Sequence, residues 1–424
     1  MSYEHLLREH FHTLGRSAYI PEENVTADGM EEKAARGAID GSFGNATGGN
    51  AVGNVDESAD RSADGSSLEN ATGSTGGSAV RNVAGQIINC SFGVNPFGYS
   101  QRIDKRSLIE RSDISNYPPF PYNELKDAII QFWAGVQLLD RSNIRVCSGT
   151  MLILNYLNVL FLERGDRVLG YAPQFPEYVR SVRVHGGVYD GVPLRSEDQF
   201  TFCPEAVVEQ LGRESYKLVY IDNPNNPTGQ IIPLRDVEIV VQEAQRRGVC
   251  VIVDEAYGEY MSRENSAISL LDSYDNLFVT RSFSKGYALA SLRIGYVVAS
   301  EELSSYYSLV DDLLLNPIGL EAAIVSLRDE EFLAETVART QEVKREVLGA
   351  LRQFRVLTTD DSVPIFALEH PDKSVDLQAL LRSYGVLATG GLEGLGRNAV
   401  RIRIPADAGT LIGVLRFVEE PLLE

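Results

Sequence analysis

From Ile144 onward the chain keeps one rhythm. A short run of consecutive apolar residues closes on a polar one, and a stretch of helical pattern follows before the next run. The runs cover residues 144–147, 166–171, 217–222, 249–254, 277–281 and 293–298, with helical patterns over 151–162, 176–184 and 234–247. Runs this short that are apolar at successive positions suit strands buried on both faces. Strands that alternate with helices come from a largely parallel sheet covered by helices on each side. The expected fold class is therefore α/β.

The pattern changes at both ends. Beyond Glu301, charged helices are expected over 302–315 and 330–353, then strands over 363–368 and 399–404, which reads as a smaller α+β domain. At the other end, residues 2–19 suit a short amphipathic helix. From about Glu22 to Ala84, Gly, Ser, Ala, Asn and Asp dominate, in fragments such as Ala46-Thr-Gly-Gly-Asn50. Such a stretch buries too little apolar surface to offset its ordering entropy, so a disordered insertion or linker is expected. The domain division is then 1–21 as an N-terminal arm, 22–84 as low-complexity sequence, 85–312 as the large domain with its entry segment, and 313–424 as the small domain.

The 424 residues carry 39 Lys and Arg against 59 Asp and Glu, a formal charge of −20. That balance argues against nucleic acid or an anionic membrane as a partner. Cys90, Cys147, Cys203 and Cys250 are far apart, and no histidine stands at a metal-ligand spacing. Reduced buried thiols are expected, and no metal. The polar N-terminus lacks an apolar signal core, and no apolar run approaches the ~18 residues of a membrane span. Cytoplasmic residence is the expectation.

Three strand ends and one loop carry the chemistry. In Thr280-Arg-Ser-Phe-Ser-Lys-Gly-Tyr-Ala-Leu-Ala-Ser-Leu-Arg293, Lys285 can form an imine with an aldehyde. Ser282, Ser284 and Arg293 there suit a phosphate. Asp254 closes the run 249–254, at the carboxyl end of a strand, where open α/β sheets bind ligands. A carboxylate there can keep a pyridine nitrogen protonated, and Tyr257, three residues on, can donate to a ring oxygen. Asn223-Pro-Asn-Asn-Pro-Thr-Gly229 fixes a loop after another strand, with Asn226 as a second donor. Ser148-Gly-Thr150 opens a helix with small residues, which lets main-chain N–H groups approach a phosphate. Taken singly, each has an ordinary reading: a solvated lysine, a helix cap, a turn.

In this order, SGT, NPNNPTG, VDEAY and SFSK with its following arginine resemble the fold-type I pyridoxal phosphate enzymes of the class I/II aminotransferase superfamily. Within it the motifs are nearest to histidinol-phosphate aminotransferases and threonine-phosphate decarboxylases. The likeness spans residues 85–405. It implies a mostly parallel, seven-stranded-type sheet with helices on both faces, a smaller α+β C-terminal domain, and pyridoxal 5'-phosphate as cofactor.

The resemblance also implies roles. Lys285 matches the lysine that binds the cofactor aldehyde, Asp254 the partner of the ring nitrogen, and Tyr257 with Asn226 the donors to the ring oxygen. Ser282, Arg293 and the turn Ser148, Gly149, Thr150 match the phosphate cradle, and Phe175 the aromatic that stacks on the ring. Tyr117 matches a tyrosine that reaches the phosphate of a neighbouring subunit, which implies a homodimer with shared active sites. Arg401 matches the arginine that forks onto the substrate carboxylate. Arg403, two residues on along a strand, would share its face, and Asn95 of the entry segment is a third substrate contact; a solvated arginine pair is the alternative for the first two.

Transamination between a small amino donor and a keto-acid acceptor is the leading expectation. Decarboxylation of an amino acid is the runner-up. A non-enzymatic regulatory module on the same fold is the third, against which stand the retained Lys285 and Asp254.

Overall fold

The computed structural model describes residues 2–8, 11, 87–310 and 315–419. In chain order the regular elements are β1 (Ile88–Asn89), α1 (Lys105–Arg111), α2 (Asn123–Trp133), β2 (Ile144–Cys147), α3 (Thr150–Phe161), β3 (Arg167–Ala172), α4 (Pro176–Val184), β4 (Val188–Pro193), α5 (Pro204–Leu211), β5 (Leu218–Asp222), α6 (Leu234–Arg246), β6 (Cys250–Glu255), β7 (Leu277–Ser282) and β8 (Gly295–Ala299). There follow α7 (Glu301–Tyr307), α8 (Pro317–Leu327), α9 (Glu330–Ala350), β9 (Arg355–Val356), β10 (Ile365–Glu369), α10 (Leu377–Ser383), β11 (Val386–Leu387), β12 (Ala399–Arg403) and α11 (Gly409–Glu419).

Seven strands make the central sheet in the order β2-β8-β7-β6-β5-β3-β4. The pairs from β4 to β7 are parallel, and β8 runs antiparallel to both of its neighbours. Every residue of β5, β6, β7 and β8 is buried, as their unbroken apolar runs require. Side chains alternate between the faces of a strand. Leu218 and Tyr220 of β5 therefore join the core under α3, α4 and α7, while Val219 and Ile221 join the core under α2, α5, α6 and α8. Each large side chain so enclosed contributes about 1.5–3 kcal/mol to the fold.

The chain leaves β3 outward to the edge strand β4 and returns on the other side of β3 to lay down β5. The sheet order thus reverses between β3 and β5. Such switch points, at the carboxyl ends of parallel strands, form ligand crevices. A second sheet, β12-β10-β9, is antiparallel, and β1 pairs in parallel with β11. The entry strand at Ile88–Asn89 is thereby fastened to a C-terminal segment at Val386–Leu387.

The expected α/β class and parallel sheet are observed. Three expectations change. The helix expected over 302–315 ends at Tyr307, where Ser308 caps it, and a separate helix begins at Pro317 behind an Asn316 side-chain cap. β4 and α5 were not expected. β4, Val-Tyr-Asp-Gly-Val-Pro, is an edge strand without the buried alternation that betrays a strand. The helix expected over 2–19 is, among residues 2–8, a single 3-10 turn at Glu4–Leu6 that Leu7 ends in extended conformation. Tyr3, Leu6, Leu7 and Phe11 are nonetheless buried in the core with α3 and α7. The expected linker at 22–84 lies outside the described residues.

Cys90, Cys147 and Cys250 are buried free thiols, as expected, whereas Cys203 is half-buried. Among the described residues, no helix is long and apolar enough to cross a membrane, and no group of three or more His, Cys, Asp and Glu could hold a metal ion.

Candidate active site

At the carboxyl ends of β5, β6 and β7 lies a cavity of about 250 Å³. Its wall includes Thr150, Phe175, Asn226, Asp254, Tyr257, Ser282, Lys285 and Arg293, eight of the residues singled out by sequence. They come from five separate stretches of chain, and the sheet order is what brings them together.

β7 ends at Ser282, whose Oγ accepts the Ser284 N–H at 3.0 Å and so turns the chain toward Lys285. The return is tied by the Phe283 N–H to the Ile294 carbonyl at 3.1 Å. Lys285 is half-buried, and its Nζ lies 5.3 Å from the centroid of the Tyr257 ring. Arg293 adopts a left-handed backbone conformation, φ 56°, that few non-glycine residues accept without a functional or packing reason. Its Nη1 donates to the Ala290 carbonyl at 2.8 Å and to Ser284 Oγ at 3.3 Å.

Asp254 is buried. Its Oδ1 accepts from Thr280 Oγ1 at 2.8 Å and from the Ala256 N–H at 3.1 Å, and Oδ2 accepts from Tyr220 OH at 3.0 Å. Burial raises its pKa, and those donors and the Lys285 charge oppose the rise. A cation placed against this carboxylate would relieve the burial cost. Tyr257 OH is buried and without a hydrogen-bond partner, an arrangement that a ring oxygen in the cavity would complete.

The turn before α3 has the geometry to accept an anion. Gly149 has φ 84°, and a Cβ there would stand 2.4 Å from Arg293 Nη2. Only glycine lets the guanidinium lie this close to the N-terminus of α3, where free N–H groups favour negative charge. Thr150 lines the cavity, whereas Ser148 and Gly149 do not themselves line it.

Arg401, on β12, reaches this region through Asn226. Its Nη1 donates to Asn226 Oδ1 at 2.9 Å, and its Nη2 donates to Thr389 Oγ1 at 3.0 Å and to the Ser91 carbonyl. Arg401 itself does not line the cavity, and Arg403 and Asn95 are likewise bonded to the protein. The Arg403 guanidinium donates to the Phe92, Ile404 and Asn89 carbonyls, so it fastens the entry segment. Asn95 is buried, with Nδ2 on the Gly286 carbonyl at 2.9 Å and Oδ1 on the Phe97 N–H at 2.9 Å. Neither lines the cavity. Tyr117 is 81% exposed and lines a different hollow, with Pro317 and Leu320.

Sequence reasoning missed one buried group in the wall, Asp222. It ends β5 and is the register partner of Asp254, which stands one residue before the end of β6, so the strand-end rule applied to Asp254 would also have found it.

A family model described as aminotransferase class I and II matches residues 86–410. The chain belongs to that family. Among its curated relatives, the histidinol-phosphate aminotransferase of Methanocaldococcus jannaschii is 30% identical over 339 residues, which cover 78% of this chain and 88% of that protein. The same-named protein of Halorubrum lacusprofundi is 35% identical over 268 residues, 62% of this chain and 71% of that one. Among solved structures, histidinol-phosphate aminotransferase from Sinorhizobium meliloti in complex with pyridoxal-5'-phosphate superposes with a TM-score of 0.69 at 24% identity, covering 80% of this chain and 92% of that one. L-threonine-O-3-phosphate decarboxylase from Porphyromonas gingivalis gives 0.65 at 22% identity, covering 79% and 100%. Those likenesses establish the shared fold. In this aminotransferase, the cavity at the sheet's switch point is the candidate active site.

Proposed function

We propose that the protein is a pyridoxal 5'-phosphate-dependent aminotransferase that accepts an amino acid or an amino-alcohol phosphate, as the histidinol-phosphate aminotransferases it resembles do by name. One observation carries the reading: Lys285 and Asp254 line a single small cavity with the unpartnered Tyr257 hydroxyl.

The residues present fit the cofactor. Lys285 would hold its aldehyde and Asp254 its ring nitrogen. Tyr257 and Asn226 would hold the ring oxygen, Phe175 a ring face, and Arg293, Ser282 and the α3 turn the phosphate. When bound, the group supplies an electron sink for negative charge at the carbon next to the amine. The chain supplies the rest. The Asp254 carboxylate keeps a proton at the ring nitrogen. The Lys285 amine takes the α-proton of the donor as general base. Arg401 orients the donor's carboxylate with a planar pair of N–H groups.

A homodimer in the cytoplasm belongs to the same proposal, with exposed Tyr117 extending toward the partner's phosphate site.

The test is a donor screen by mass spectrometry with histidinol phosphate, aromatic amino acids and phosphothreonine, and 2-oxoglutarate as acceptor. Glutamate formation matched by loss of one donor supports the reading. Carbon dioxide release without a keto product would assign decarboxylation, and no turnover of any donor by the yellow protein would overturn it.

A further inference from the structure

Asp222 and Asp254 are Cα partners on the adjacent parallel strands β5 and β6. Two carboxylates at the same register both line the cavity. Asp254 has a role in the reading above, and Asp222, only 3% exposed, has none. Burying a second carboxylate is costly unless its bonds serve a purpose.

One of those bonds leads to the site. Asp222 Oδ2 accepts the main-chain N–H of Asn226 at 2.9 Å. Oδ1 accepts from Tyr171 OH at 2.7 Å and from Asn225 Nδ2 at 3.1 Å. The neighbouring asparagines bond mainly to main chain and side chains around the loop, and Asn225 Nδ2 also reaches Tyr171 OH and the Pro173 carbonyl at 3.3 Å. Asn223 clasps the Ile232 N–H and carbonyl, and Asn225 Oδ1 accepts from the Thr228 N–H and Oγ1. The Asn226 N–H has the Asp222 carboxylate.

The other end of Asn226 is fixed as well. A guanidinium only donates, so the atom that Arg401 Nη1 meets at 2.9 Å must be the amide oxygen. The amide NH2 is then left to donate into the cavity. A chain of bonds therefore runs from the Asp222 carboxylate through Asn226 to Arg401. It joins a strand end of the large sheet to β12.

We propose that Asp222 is a positioning residue for recognition of the amino donor's carboxylate, acting by holding the Asn226 main chain so that its side chain can align Arg401. The proposal rests on the aminotransferase reading. Of the partners of the Asp222 carboxylate, the Asn225 Nδ2 and the Asn226 N–H can only donate, and they meet different oxygens. An asparagine in its place has one oxygen, so in either orientation it turns an NH2 toward one of these two donors.

The experiment compares wild-type holoenzyme with Asp222→Asn. The readouts are steady-state KM and kcat for the amino donor, the pH midpoint of the cofactor's visible band, and the thermal midpoint. The expected result is a rise in donor KM of about tenfold or more, a smaller fall in kcat, and a displaced band midpoint, because the Asn226 amide also faces the ring oxygen. KM and band midpoint unchanged, with only thermal stability lowered, would overturn the proposal.

Hydrogen exchange on wild-type holoenzyme tests it without a variant. Saturating maleate, a carboxylate that turns over no amino group, should slow exchange in the peptide covering residues 222–229. Unaltered exchange there, with maleate shown to compete against the donor, overturns the proposal even if Asp222→Asn does not fold. If wild type takes up no cofactor or transfers no amino group, the underlying aminotransferase reading fails instead.

Discussion

The Nζ of Lys285 stands 5.3 Å from the centre of the Tyr257 ring, and the hydroxyl of that ring has no partner. One wall of the cavity thus offers a primary amine and an unused donor side by side. Lys285→Ala should lower kcat by at least ~10²–10⁴-fold, the usual worth of a positioned acid–base group. The cleaner measurement is the mass after borohydride treatment. Wild type should gain the mass of the reduced cofactor, and the variant should not.

Tyr257→Phe should separate stability from function. Deleting a buried hydroxyl that has no partner removes a desolvation cost of about 1–3 kcal/mol. The cofactor-free variant should therefore melt at or above the wild-type temperature. With cofactor bound, the loss of a donor to the ring oxygen should shift the visible band's midpoint to higher pH and cut activity by about tenfold or more. A destabilised cofactor-free variant would show that the hydroxyl is satisfied in solution.

Arg401 and Arg403 stand two residues apart on one strand; the first donates to the side chains of Asn226 and Thr389 as well as to the Ser91 carbonyl, the second to main-chain carbonyls alone. Arg401→Ala should raise the donor KM by about 10- to 100-fold, the loss of a charge-assisted pair. Arg403→Ala should act mainly on stability, measured as a lower thermal midpoint with the KM within about threefold of wild type. Equal KM effects would count against the assignment.

Arg281 is buried between Glu255 Oε2 at 2.9 Å and Glu259 Oε1 at 3.1 Å. Arg281→Met leaves two buried carboxylates without their cation and should cost about 3–5 kcal/mol, read from urea unfolding. Burial pushes the Glu259 carboxyl up to about 7, with the Arg281 charge opposing, and pushes Asp222 up to about 6. In both cases the folded state holds its proton more tightly than the unfolded chain. Stability is then greatest below the ordinary carboxylate range and falls as pH rises through those values. Lys344, lowered to about 7 by burial, acts in the opposite sense only above that pH. Melting of the cofactor-free protein between about pH 5 and pH 7 should show this decline, and Glu259→Gln should flatten it. Parallel slopes for the two proteins would remove Glu259 as its source.

Gly149→Ala should weaken cofactor binding more than it weakens the fold. The new methyl would meet Arg293 Nη2 at 2.4 Å, on a backbone at φ 84° that disfavours a side chain. Displacing that guanidinium should raise the cofactor's dissociation constant by about tenfold, measured by fluorescence on the apoprotein. Unchanged affinity would show that the phosphate does not sit beside Arg293.

Local pattern carried the central sheet into view, and distance hid the rest. β5 and β6 were legible because strands buried on both faces need unbroken apolar runs, and the residues that close such runs fall at the ligand crevice. β4 was not legible, because an edge strand is not obliged to hide either face. The pairing of Asn226 with Arg401 spans 175 residues, and nothing in either neighbourhood encodes it. The backbone bonds of Asn95 and Arg403 were not legible, because the same polar types serve equally well to meet a substrate or to hold main chain. Asp222 was not legible as a wall residue, because an acid before an asparagine-rich turn reads equally well as a loop anchor.

β8 turns back against its neighbours, so the chain that leaves β7 at Ser282 re-enters the sheet at Gly295 from the same edge. Lys285 and Arg293 therefore share one peptide loop, whose only helical turn is the short 3-10 stretch at Ala290–Leu292. An inserted or deleted residue anywhere in it would disturb the covalent anchor and the anion partner in one stroke. Natural variation in loop length is expected to spare this stretch while it accumulates freely on the helical connections around it.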